Sequence, residues 1–134
     1  HFVVDKIVDA LSTFQGKAIN GASIFIIGLA YKKDIDDLRE SPALMLLDIL
    51  GKKGAKVSYH DDYIPVIPKT EYSKFKGLKS LDLTEKNIRS NDITLIITNH
   101  SYLDMDMIGK NSNLIVDTRN SMKGYKTKCQ VIKA

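Results

Sequence analysis

Two cations follow apolar segments in a way that could place them at the ligand side of a parallel sheet. Lys32 comes shortly after the run Ser23–Ile27 and Gly28, and Arg119 comes just after the segment Asn113–Asp117. A lysine offers a compact charge and an arginine a planar fork, and either can hold a phosphate, a carboxylate or the edge of a ribose and base. Pattern alone leaves each an ordinary alternative. Lys32, beside Lys33, can be a solvated loop lysine, and Arg119 can pair with Asp117 or with Asp36-Asp37. Arg39, next to Glu40 in an acidic stretch, reads as part of an ion-pair network. His60 and His100 have no serine or cysteine nucleophile near them in sequence and read as hydrogen-bonded loop residues, with His100 on the ligand edge.

Other groups suggest no chemistry. The carboxylates Asp34, Asp36, Asp37 and Glu40 lack the glycine-centred spacing of a calcium loop, and a helix start attracts nearby carboxylates through its dipole. No metal site is expected. Cys129 lies in a basic tail without a neighbouring histidine and reads as a packing or surface thiol. No acid/base pair or triad emerges, so no residue of this chain is expected to be catalytic.

The positioning elements follow from periodicity. Val4, Ile7, Val8 and Leu11 mark an amphipathic helix over 2–11, with a connecting loop at 16–21. Residues 23–27 read as a buried parallel strand. Ser41-Pro42 starts a helix over 43–53 that carries Ala43, Leu46, Leu47 and Leu50 on one face and stops at Gly54. Strands are expected at 56–60, 93–98 and 113–117, short helices at 84–90 and 104–109, and an edge strand at 129–132. The stretch 71–83 is ambiguous. Strands alternating with helices give an α/β, Rossmann-like parallel sheet of about four to six strands in a single domain. A strand order of 2-1-3-4 places the switch point between the first and third strands, where such sheets bind ligands.

The 134 residues amount to one domain, with residues 1–20 as helix and linker and 21–134 as the domain proper. A composition of 43% hydrophobic and 27% charged residues excludes disorder. No apolar run approaches the roughly 18 residues of a membrane helix, and no signal peptide is visible. The chain begins as His1-Phe2-Val3-Val4, in mid-helix, and is expected to be a piece of a longer one. One cysteine excludes an internal disulfide and fits a reducing cytoplasm. A net charge of +4 from 20 basic residues, of which only Arg39, Arg89 and Arg119 are arginine, suits a small anionic ligand better than nucleic acid. The first strand's exit has one glycine, Gly28, instead of G-x-G-x-x-G, and the carboxylates after it would repel a pyrophosphate, so this chain is not expected to bind NAD itself.

The run Gly28-Leu29-Ala30-Tyr31-Lys32-Lys33-Asp34-Ile35-Asp36-Asp37-Leu38-Arg39-Glu40-Ser41-Pro42-Ala43 resembles the signature of the C-terminal domain of the UDP-glucose/GDP-mannose dehydrogenase family. Lys53-Gly54-Ala55-Lys56-Val57, Tyr59-His60-Asp61-Asp62-Tyr63-Ile64-Pro65 and Val116-Asp117-Thr118-Arg119-Asn120 continue the likeness over nearly the whole chain. The wording is most similar to members acting on UDP-N-acetylhexosamines, UDP-N-acetyl-D-mannosamine above all. Asp62 departs from the proline that many members carry there.

The resemblance implies a larger enzyme with an N-terminal NAD-binding domain, a central dimerising region and a C-terminal domain that holds the UDP of a nucleotide sugar. Such an enzyme oxidises the sugar C6 alcohol to a carboxylate in two NAD-dependent steps through a catalytic cysteine located outside this chain. Lys32 and Arg119 are the implied contacts to the UDP-sugar, with Tyr31 packing beside them. The implied partners are the rest of the same polypeptide and further copies of it. Two other classes compete: a small NAD-binding regulator and a non-catalytic structural or oligomerisation domain.

Overall fold

The structure, a computed structural model, describes residues 1–134. Helix α1 (Phe2–Ala10) buries Val4, Ile7 and Ala10 and is capped by His1, whose ring accepts the Val3 N–H. The winding continues past the expected end as a π turn over Leu11–Gln15, closing on Gly16. Periodicity could not show this, because a tertiary contact extends it. Gln15 Nε2 donates to the Asp92 carbonyl at 2.9 Å, and Lys17 pairs with the Asp92 carboxylate.

The order is then β1 (Ser23–Ile27), α2 (Pro42–Lys52), β2 (Lys56–His60), α3 (Glu85–Arg89), β3 (Ile93–Ile96), α4 (Met105–Asn111), β4 (Ile115–Asp117) and β5 (Val131–Lys133). All neighbours pair in parallel, in the order β2-β1-β3-β4-β5. The expected 2-1-3-4 arrangement stands, extended by the edge strand slightly beyond its expected place. Strand β3 is shorter than the pattern suggested, because the Ile97 and Thr98 N–H groups both turn to the Ile27 carbonyl and end the ladder. The ambiguous 71–83 stretch holds a single 3-10 turn, Ser73–Phe75, and an antiparallel bridge from Lys79 to Val66.

The apolar strands need cover on both faces, and alternation divides their side chains between two cores. Ile24, Ile26, Leu95 and Val116 join Ile7, Leu46 and Leu50 beneath α1 and α2. Phe25, Ile27, Ile96 and Ile115 meet Ile88 of α3 and Ile108 of α4 on the other side. Helix α1 thus shares the larger core with the sheet. No helix is long and apolar enough to cross a membrane.

Candidate functional site

The chain leaving β1 is buried although it is irregular: Leu29 and Ala30 are fully covered. Buried backbone needs partners for every N–H and C=O, and here each group from Leu29 to Tyr31 has one. The Leu29 and Ala30 N–H groups donate to Asp61 Oδ2 at 2.8 and 3.1 Å. Ser41, which also caps α2, donates its hydroxyl to the Leu29 carbonyl at 2.6 Å. Thr98 Oγ1 donates to the Ala30 carbonyl, and the Tyr31 N–H reaches the Asp37 carbonyl at 2.8 Å. The Tyr31 carbonyl accepts from Arg119 Nη2 at 3.4 Å. Lys32 follows directly, exposed and without an ion pair.

Arg119 is aimed by the turn after β4. Asp117 is buried and accepts from the Arg119 N–H, the Ser121 hydroxyl and the Met122 N–H, which folds the chain back at Asn120 with φ +55°. The guanidinium then crosses the ends of β3 and β1, donating through Nε to the Ile97 carbonyl at 2.9 Å and through Nη2 to Tyr31. The ion pair with Asp117 or with Asp36-Asp37 that the sequence allowed does not form. Carbonyls hold the fork in place, so its full charge and its Nη1 donors remain available at an exposed rim. Arg119 and the Tyr31–Lys32 loop meet there, at the C-terminal end of the sheet beside the switch point.

Other candidates take other roles. Arg39 closes on Asp37 through Nε and Nη2, and this bonding holds the Asp37 carboxyl down to about 2. It lines a separate cleft of about 930 Å³ between α2 and the 63–72 loop, which includes neither Lys32 nor Arg119. A smaller cleft of about 180 Å³, with Asp117, Asn120, Lys123, Tyr125 and Lys133 on its walls, likewise includes neither Lys32 nor Arg119. His100 is buried, and both of its ring nitrogens are bonded within the protein: Nδ1 accepts the Asp34 N–H at 2.8 Å, and Nε2 faces Asp61 Oδ2 at 2.9 Å. His60 Nδ1 donates to the Leu81 carbonyl at 2.7 Å, and its Nε2 accepts from the Tyr102 hydroxyl at 2.9 Å. The acidic run disperses, with Asp34 bonded to Ser101 and Asp37 to Arg39. Burial pushes the Cys129 thiol up, the opposite of what a nucleophile needs.

Asp61 is the residue that sequence reasoning missed. Burial works to raise its carboxyl, but hydrogen bonds from His100, Leu29 and Ala30 outweigh that and hold it below the ordinary range. Its signals in the sequence were its place directly after a strand and within the 59–65 run of the family likeness, and neither says what it bonds.

A five-stranded parallel sheet with helices covering both faces defines the chain as a Rossmann-like domain. The chain belongs to the UDP-glucose/GDP-mannose dehydrogenase family: residues 25–124 match that family's UDP binding domain. It superposes on the UDP-D-ManNAc dehydrogenase of Pyrococcus horikoshii with a TM-score of 0.73 at 28% identity, covering 98% of this chain and 30% of that one. It is 32% identical over 123 residues to the UDP-glucose 6-dehydrogenase of Rickettsia bellii, covering 87% of this chain and 28% of the relative. It is 26% identical over 120 residues to an NDP-N-acetyl-D-galactosaminuronic acid dehydrogenase of Ralstonia nicotianae, covering 89% and 26%. The chain therefore spans little more than a quarter of the length of these relatives.

Proposed function

We propose that this chain is the part of a nucleotide-sugar 6-dehydrogenase that holds the UDP end of the substrate. We further propose that the substrate is a UDP-N-acetylhexosamine, UDP-N-acetyl-D-mannosamine in particular. The observation that carries the first statement is the Arg119 guanidinium lying 3.4 Å from the Tyr31 carbonyl. It brings the two loops with free cations to one rim. Arg119 presents a fork to the diphosphate, Lys32 adds a second charge, and Tyr31, 44% exposed, offers a ring beside them. The wording of the 28–43 run supports the hexosamine over glucose.

The chain's contribution is positioning. Binding energy from the remote diphosphate fixes where the sugar C6 lies, so the oxidation carried out by the rest of the polypeptide starts from an aligned substrate. NAD does not fit here. The N–H groups at the β1 exit, where a Rossmann turn would take a pyrophosphate, are already bonded to Asp61. The cofactor is assigned to an N-terminal domain, catalysis to a cysteine outside this chain, and the setting to a cytoplasmic homo-oligomer. Alone, the chain binds UDP weakly and oxidises nothing.

Lys32→Ala tests this. It raises Kd for UDP, or KM for the UDP-sugar in the whole enzyme, by about tenfold, the loss of one charge-assisted contact. The same Kd with and without the lysine, read by titration at low salt, contradicts it. A panel of UDP-sugars on the whole enzyme decides the hexosamine, with the N-acetylmannosamine derivative expected to give the highest kcat/KM.

A further inference from the structure

We propose that Asp61 and His100 are positioning residues for the nucleotide site, forming a buried clamp that pins both ends of the Tyr31–Lys33 span and so sets Lys32 opposite Arg119. This rests on the assignment of Lys32 and Arg119 to the nucleotide.

The first strand of an open parallel sheet ends in a turn whose N–H groups are a ready seat for an anion. Here that seat is filled from inside. Asp61, fully buried, accepts from Leu29, Ala30 and His100 at Oδ2, and from the Tyr63 N–H at Oδ1 at 2.9 Å. A ligand phosphate would have to displace a carboxylate that already has four donors. The substrate's phosphates are thereby directed outward, to the rim where Arg119 and Lys32 stand.

His100 carries the same pair to the far end of the span. Its Nδ1 accepts a peptide N–H, so that nitrogen carries no proton, and Nε2–H must be the donor to Asp61. The N–H it accepts belongs to Asp34, at φ +64°, a left-handed conformation that aspartate tolerates better than most residues and that this bond helps to fix. The Asp34 carboxylate is tied as well, to the Ser101 N–H and hydroxyl. The ring packs against Tyr63 and Tyr102, with centroids 4.7 and 5.6 Å away. Ala30 is therefore fixed by Asp61 and Asp34 by His100, with Lys32 the middle residue of the three between them. None of these groups touches the rim. They act on the substrate only through where they leave the lysine.

A double-mutant cycle on the 134-residue chain tests this. His100→Phe keeps a ring against the two tyrosines and removes both nitrogens. It raises Kd for UDP, followed by NMR titration, by about tenfold, as expected for a misplaced binding group. In a Lys32→Ala background the same substitution changes Kd by less than about twofold, because the group it positions is gone. The control Ile88→Ala, in the opposite core, leaves Kd unchanged where the protein is fully folded. Either a full effect of His100→Phe without the lysine, or none with it, overturns the clamp. Should His100→Phe not fold, amide exchange in the unaltered chain decides. The Asp34 amide exchanges at least about tenfold more slowly than the Lys32 and Lys33 amides, and equal rates overturn the clamp. If the unaltered chain shows no UDP binding but a protected Asp34 amide, the failure lies with the nucleotide assignment and takes the clamp's purpose with it.

Discussion

Arg119→Ala raises KM for the UDP-sugar in the whole enzyme, and Kd for UDP in this chain, by about 100-fold, while kcat changes little. Hydrogen bonds to charged groups contribute about 1.5–3 kcal/mol each, and about 1.4 kcal/mol is tenfold in affinity. The arginine is expected to make at least one such contact to the diphosphate. It also ties the Tyr31 and Ile97 carbonyls together, so its removal loosens the neighbouring loop. Arg119→Lys restores little, because an ammonium cannot span both carbonyls and still present a fork to phosphate. A KM within about threefold of the unaltered enzyme would place the nucleotide elsewhere.

Gly28→Ala is expected to be the most disruptive single change to the fold. Gly28 sits at φ +86°, where a side chain is strained, and an added Cβ would overlap the carbonyl oxygen and Cβ of Thr98. Thr98 cannot move away cheaply, since its hydroxyl holds the Ala30 carbonyl and its N–H is bonded to Ile27. Strain and overlap together cost about 3 kcal/mol or more, a fall in Tm of roughly 10 °C. Gly21→Ala is the control. Its φ is similar, +88°, but a Cβ there meets open space, so only the strain remains. Thermal melts giving equal losses for the two would show that the approach to Thr98 does not matter.

The sheet was legible because burial on both faces leaves its mark on composition. Ile24, Phe25, Ile26 and Ile27 cannot be anything but a covered strand, and Ser41-Pro42 before Ala43, Leu46, Leu47 and Leu50 writes a helix start and its inner face together. The parallel order followed from the alternation of strands and helices. Extensions set by distant partners could not be read, such as the π turn held by Asp92 from far along the chain.

At the site, the ligand-edge placement of Lys32 and Arg119 was expected from the strand order, but how the arginine is held there was not legible. That depends on which carbonyls the guanidinium chooses, and Asp117, the obvious ionic partner, is occupied in folding the turn instead. Asp61 shows the limit most clearly. Beside His60 and Asp62 it reads as one of several polar loop residues, and only the fold brings Leu29, Ala30 and His100 around it.

The most direct test is an NMR titration of the chain with UDP, following the Arg119 side-chain Nε–H and the Tyr31 and Lys32 amides. These signals are expected to shift together and saturate with one Kd, with the amides of Leu38, Met45 and Tyr63, which line the larger cleft, left unmoved. Shifts centred on that larger cleft, with Arg119 and Lys32 silent, would contradict the assignment of the rim as the nucleotide site.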